Sequence, residues 1–332
     1  MNEEKKLIVS ASPHVHAHDD TRSIMLDVII ALLPALVGAV YFFGWRALTM
    51  TVVSAAAAMF FEWLYRKLMK KSSSIGDLSA VVTGILLAYC CPVTMPYWMV
   101  IVGDAIAIII VKQLYGGIGK NFMNPALVGR VFMLSWPVAI TRWTDAFQKV
   151  NVFSSNVDAV TVATPLSSMA NNVLPENVSV LDMFFGKIPG CVGEVSAALL
   201  ILGGIYLLIR KVISIRIPLA YIATVAVLTF VFPRGNDRLV WMASQLFTGG
   251  LMLGAFFMAT DYVTSPSTKR GQWIFGIGCG LLTVFIRYFG SYPEGVSFSI
   301  LIMNACAWLI DKAGVPARFG AEKKKAKEAA SK

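Results

Sequence analysis

The sequence predicts an all-α polytopic membrane protein. Three observations point there. First, 57% of the 332 residues are apolar and only 14% are charged, against roughly half and a quarter in an ordinary soluble domain. Second, mean hydropathy is +0.67, and a globule of this size cannot hide that much apolar surface from water. Third, the apolar residues fall into runs near the twenty or so that span a bilayer. A soluble enzyme, a disordered chain and a fibre are excluded.

Ten runs qualify as spans. The first five are 24–44, 47–65, 79–91, 97–115 and 125–140. The second five are 195–209, 212–232, 239–260, 273–288 and 296–310. A polar arm (1–23) precedes them, a polar stretch of about fifty residues (141–194) divides them, and a basic tail (311–332) follows. The arm has no apolar core of the signal-peptide kind.

With the N-terminus inside and ten alternating spans, 21 of the 29 Lys and Arg fall on the cytoplasmic side. Seven fall outside, and Arg130 lies within a span. That bias predicts both termini in the cytoplasm and the stretch 141–194 outside it. It also explains the net charge of +10 without nucleic acid. The tail reads as solvated, with anionic lipid as a lesser partner.

The two sets of five look related. Thr83-Gly84, a break at Pro92 and a Gly-rich turn after Lys112 in 24–140 answer to Thr248-Gly249-Gly250, Ser265-Pro266 and Gly290-Ser291-Tyr292-Pro293 in 195–310. Five spans per copy force opposite orientations, so the expectation is two inverted five-helix repeats with broken helices. Such repeats build sites where helices break. The run 79–91 is too short to cross straight and suits a half-helix.

No complete active site is visible. His14, His16 and His18 alternate in the polar arm without a Cys or acidic partner nearby. Cys90, Cys91, Cys191, Cys279 and Cys306 form no C-x-x-C pattern, so no metal or iron–sulfur site is expected on this chain. The glycine-rich Gly116-Gly117-Ile118-Gly119-Lys120-Asn121-Phe122-Met123-Asn124-Pro125 lacks the phosphate-loop spacing. It reads as a tight turn or a ligand loop, with Asn124 capping a helix that begins at Pro125. Thr164, held extended by Pro165, is on chemistry alone an ordinary loop threonine. Asp104 sits mid-span, where an ionisable group needs a partner or water. An ion path and a structural hydrogen bond suit it equally.

In combination these motifs resemble one family. They are Ser12-Pro13-His14, Met25-Leu26-Asp27-Val28 through Ala31-Leu32-Leu33-Pro34, the Gly116–Ala126 loop, Met258-Ala259-Thr260-Asp261, Thr264-Ser265-Pro266, Tyr292-Pro293-Glu294-Gly295 and Met303-Asn304. The chain is similar to the D subunit of the Rnf complex, the membrane ferredoxin:NAD+ oxidoreductase. That protein is related to the B subunit of the sodium-pumping NADH:quinone reductase. The short arm fits the Rnf protein better.

The resemblance implies a flavoprotein component of a redox-driven translocase in the cell inner membrane, coupling electron flow to Na+ or H+ export. Its implied partners are other Rnf subunits, which carry the iron–sulfur centres, and a flavin transferase. That enzyme reads an Asp-x-x-[Ser/Thr]-Gly-Ala-Thr frame and joins FMN through its phosphate to the last Thr. Asp158, Thr161, Ala163 and Thr164 match the frame, and Val162 stands where Gly is usual. The resemblance further implies non-covalent riboflavin, with Asn121 and Asn124 as the matching residues. A secondary transporter or channel without redox chemistry is the alternative that inverted repeats and Asp104 also suit.

Overall fold

The computed structural model describes residues 20–153, 164–174, 178–194, 196–290 and 292–314. Its regular structure is helical throughout, with no strand among the described residues. The chain is a membrane protein, and its surface shows it. Large apolar side chains such as Val37, Trp45, Ile209 and Phe289 are exposed, while Asp104, Glu62, Lys112, Arg130 and Arg287 are buried.

The first half runs α1 (Thr21–Phe43), α2 (Trp45–Leu68), the short α3 (Ser79–Tyr89), α4 (Tyr97–Ala105) and α5 (Pro125–Phe132). From α4 the chain continues as a π-helical stretch, Ile106–Gln113. After α5 it breaks into a single 3-10 turn and α6 (Pro137–Ile140). In the polar stretch lie α7 (Pro165–Ala170) and α8 (Val180–Phe185). The second half runs α9 (Ala197–Ile209), α10 (Arg216–Val231), α11 (Arg238–Phe247), α12 (Leu251–Leu253), α13 (Lys269–Phe289) and α14 (Val296–Gly314). A second π-helical stretch, Gly254–Met258, extends α12.

Among the described residues, α1, α2 and α13 are each long and apolar enough to cross a bilayer. A fourth candidate is α11 with the 251–258 segment, bent by 61°. Breaking a helix in an apolar medium frees carbonyls that must find donors. In both halves a buried arginine supplies them. Arg46 gives Nε to the Val93 carbonyl at 2.7 Å and Nη2 to that of Met95 at 3.2 Å, just past α3. Arg287 gives Nη1 to the Gln245 carbonyl at 2.6 Å and Nη2 to that of Thr248 at 3.3 Å, at the α11–α12 bend. At that bend Gly249 takes φ +68°, a left-handed backbone that favours glycine.

Small residues set the closest helix approaches, as expected where packing rather than water drives association. A Cβ on Gly84 of α3 would stand 2.7 Å from the Ser54 carbonyl oxygen of α2. Ser54 Oγ donates back to the Gly84 carbonyl at 2.7 Å. The halves meet where α1 packs on α9, with Gly203 against the Ala31 carbonyl. Asp27 locks that contact by accepting from Tyr206 Oη at 2.8 Å and Arg210 Nη2 at 3.1 Å.

Candidate functional site

Two cavities lie at opposite ends of α3 and α5. The first, about 390 Å³, is lined by Ser79, Lys112, Asn121, Asn124, Phe257 and Asp261, among others. The second, about 470 Å³, is bordered by Thr164, Cys191, Glu194, Thr248, Tyr292 and Glu294, among others. Both volumes fall in the range of small-molecule sites, roughly 300–1,000 Å³.

The first cavity is built by irregular backbone. Each π-helical stretch contributes to it, Lys112 from one and Phe257 from the other. Single π turns recur at functional sites because the extra residue re-aims side chains. Lys112 Nζ donates to Glu62 Oε2 at 2.8 Å and to Ser79 Oγ at 2.6 Å. Gln113 Nε2 donates to Glu62 Oε1 at 2.9 Å, and Ser74 Oγ also donates to that oxygen. A full charge pair is thereby fixed in the wall.

Asn124 caps α5, its Oδ1 accepting from Ala126 N at 3.1 Å and Leu127 N at 3.4 Å, with Pro125 at the first helical position. Its Nδ2 donates to the Met258 carbonyl at 3.3 Å, next to the second π stretch. Its amide therefore shapes the cavity by joining the two halves. Asn304, its amide oriented by its neighbours, accepts from the Asn124 backbone N–H at 3.1 Å. Asn121 Nδ2 donates to the Met123 carbonyl at 3.1 Å, and Asn121 Oδ1 receives no hydrogen bond among the described residues. Of the two amides, Asn121 has the freer acceptor for a ligand. Burial holds Asp261 above the usual carboxylate range, opposed by the Thr264 hydroxyl and by Lys112.

At the second cavity, Thr164 is extended, with φ −69° and ψ 151°, and caps α7; its Oγ1 accepts from Ser167 N at 3.3 Å. The signal for this role was present in sequence as Thr-Pro-x-Ser, a cap residue followed by proline at the first helical turn. A hydroxyl that accepts from the backbone keeps its remaining valence for a phosphoester. This position, at the rim of a cavity of ligand size, fits a covalently held flavin. Asp158 and Thr161, the other motif residues, lie outside the described residues.

Below the rim, Arg130 reaches from α5. Its Nη2 donates to Tyr292 Oη at 3.0 Å and to Glu294 Oε2 at 3.2 Å. Its Nη1 is buried without a hydrogen-bond partner. Asn124, at the first cavity, and Arg130, which reaches Tyr292 and Glu294 at the second, are six residues apart on one helix, roughly 9 Å along its axis at 1.5 Å per residue.

Asp104 is fully buried and belongs to neither cavity. Its Oδ1 accepts from Ser54 Oγ at 3.0 Å, and its Oδ2 has no partner. All five cysteines are free thiols. Sequence reasoning missed Glu62, Lys112 and Arg130 as site residues. The available signal was a charged residue inside an apolar run, which had singled out only Asp104.

Comparison with known proteins gives a consistent result. The model of the NQR2, RnfD, RnfE family matches residues 8–320. The chain is 47% identical over 312 residues to the D subunit of the Na+-translocating ferredoxin:NAD+ oxidoreductase complex of Acetobacterium woodii, covering 93% of this chain and 94% of the relative. It is 43% identical to the D subunit of the proton-translocating ferredoxin:NAD+ oxidoreductase complex of Clostridium ljungdahlii, covering 94% and 96%. It is 35% identical to the D subunit of the ion-translocating oxidoreductase complex of Escherichia coli, covering 95% and 99%. Over almost its full length, this chain belongs to the NQR2, RnfD, RnfE family.

Proposed function

We propose that this chain is the flavin-carrying membrane subunit of an Rnf-type complex, passing electrons across the bilayer between reduced ferredoxin and NAD+. Its relatives are named as D subunits of ion-translocating ferredoxin:NAD+ oxidoreductases, and no complete active site is expected on this chain alone. The observation that carries the reading is the pair of ligand-sized cavities at the two ends of α3 and α5, one bordered by Thr164 and the other by Asn121 and Asn124.

FMN is attached at Thr164, on the extracytoplasmic side, by a flavin transferase that reads Asp158 and Thr161 as well. Riboflavin occupies the cytoplasmic cavity beside Asn121. Asn124 braces that cavity wall, and the Glu62–Lys112 pair fixes a charge within it. Bound flavins would supply reversible electron carriage; the protein anchors them and shields them. Ten spans form two inverted repeats, with both termini in the cytoplasm, in the cell inner membrane. Asp104, buried at mid-depth, lies on the ion path. The partners are the other Rnf subunits, and Na+ or H+ is the exported ion.

The test is a denaturing gel of the chain co-expressed with its flavin transferase, viewed under ultraviolet light. A fluorescent band at 36 kDa that disappears in Thr164→Val is the expected result. A dark wild-type band would favour a transporter without redox chemistry.

A further inference from the structure

Two carboxyl side chains meet on the wall of the Thr164 cavity. Glu194 closes the polar stretch and Glu294 lies in the turn before α14. One oxygen of each and Cys191 Sγ all lie within 4.8 Å of one another, so the two carboxyls face each other at close range in a buried wall. Two ionised carboxylates this close would repel each other with little water to screen them; a carboxyl beside a carboxylate does not carry that cost, and its O–H is a donor the facing carboxylate can accept.

The cations decide which group is ionised. Glu294 has Arg130 at 3.2 Å. Glu194, only 7% exposed, has no ion-pair partner among the described residues. The next cation, Arg287, directs its guanidinium to the carbonyls of Gln245 and Thr248. The other titratable groups around the pair are Tyr292, Cys191, Cys90 and Cys91, none of them cationic. Burial, and then the facing Glu294, hold Glu194 well above the usual carboxylate range. Gly250 closes the chain over both groups, since a Cβ there would stand 2.5 Å from Glu194 Oε1 and 3.0 Å from Glu294 Oε1. A metal ion is a poor occupant here, because it would face the Arg130 guanidinium already bound to Glu294.

We propose that Glu194 and Glu294 form a proton-binding site, holding one proton between them on the wall of the Thr164 cavity. Losing that proton leaves an uncompensated negative charge in a buried wall. Proton occupancy and electron arrival in the cavity therefore favour one another, and the coupling is reciprocal. This second step rests on the reading that Thr164 carries FMN. The electrons come from the partner redox subunits, and the pair binds or releases only its proton, exchanged through the cavity.

Infrared difference spectroscopy of the assembled complex tests the proposal. In wild type at neutral pH, the carbonyl stretch of a protonated carboxyl, sensitive to deuterium, is expected. It should vanish in Glu194→Gln. It should also vanish in Glu294→Gln, where Glu194 inherits Arg130 and ionises. In Thr164→Val the band should remain. Reduction with dithionite should shift it in wild type and leave it unmoved in Thr164→Val. Gel fluorescence of the same samples reads the flavin separately, so a band without fluorescence supports the proton site and defeats the FMN reading. If Glu194→Gln does not assemble, Glu194→Asp serves instead, and an unmoved band in that variant overturns the proposal. A band undiminished in Glu194→Gln, or absent from wild type, also overturns it. So does a band that disappears as Na+ is added, which would make this a Na+ site. A wild-type band indifferent to reduction overturns the coupling.

Discussion

Glu62→Gln is the sharpest perturbation of the first cavity. Glu62 is fully buried and the Lys112 side chain is 4% exposed, with 2.8 Å between Oε2 and Nζ. Taking the charge from Glu62 leaves Lys112 as a buried ammonium with the Ser79 hydroxyl as its remaining partner. Breaking a buried ion pair from one side costs about 3–5 kcal/mol. The glutamine carbonyl still accepts from Gln113, so the cost should sit near the lower end. For a chain of this size that is a fall of roughly 4–6 °C in the thermal transition. The assay is a thermal scan of the detergent-solubilised complex at one fixed rate, because unfolding of such an assembly is a rate as much as an equilibrium. Glu62→Gln combined with Lys112→Met removes both charges and should recover most of the loss, giving a large coupling in a double-mutant cycle. A single variant that melts within a degree of wild type, or a double variant no better than the single, would refute the claim that this pair is buried and mutually dependent.

Asp104→Asn should retain assembly and flavin, since an amide can still accept from Ser54, but lower ion uptake per electron in vesicles; uptake equal to wild type removes Asp104 from the path. An impermeant thiol reagent should leave Ser331→Cys unlabelled in intact cells and label it after lysis, and labelling of intact cells would reverse the topology. Glu194, held above its usual range, binds its proton more tightly in the folded chain than in the unfolded one. It therefore removes stability as pH rises from its unfolded value through its folded one. Glu194→Gln should lose less thermal stability than wild type over the alkaline side of that window, and parallel losses would count against a protonated Glu194.

Much of the site was legible because its signals are local. Asn124-Pro125 announces a capped helix start, and the structure has that cap. Thr164-Pro165 announces an extended threonine, and the backbone there is extended. The short run at 79–91 announced a half-helix, and α3 spans eleven residues. What sequence could not reveal are the pairings across the fold. Glu62 meets Lys112 across 50 residues, and Arg130 meets Glu294 across 164. No local period encodes those contacts; each follows from which helix faces the broken segments cross. The π-helical stretches were equally hidden. Ile106–Gln113 reads as ordinary apolar helix, and only the packed structure shows that it is π-helical and that Lys112 within it meets Glu62.

The central claim is that Thr164 bears the flavin. The direct measurement is mass spectrometry of the peptide spanning residues 158–169, taken from the chain co-expressed with its flavin transferase. The account predicts a mass increase equal to FMN joined through its phosphate with loss of water, located on Thr164 and absent from Thr164→Val. An unmodified wild-type peptide under those conditions, or an adduct located on Thr161, would contradict it.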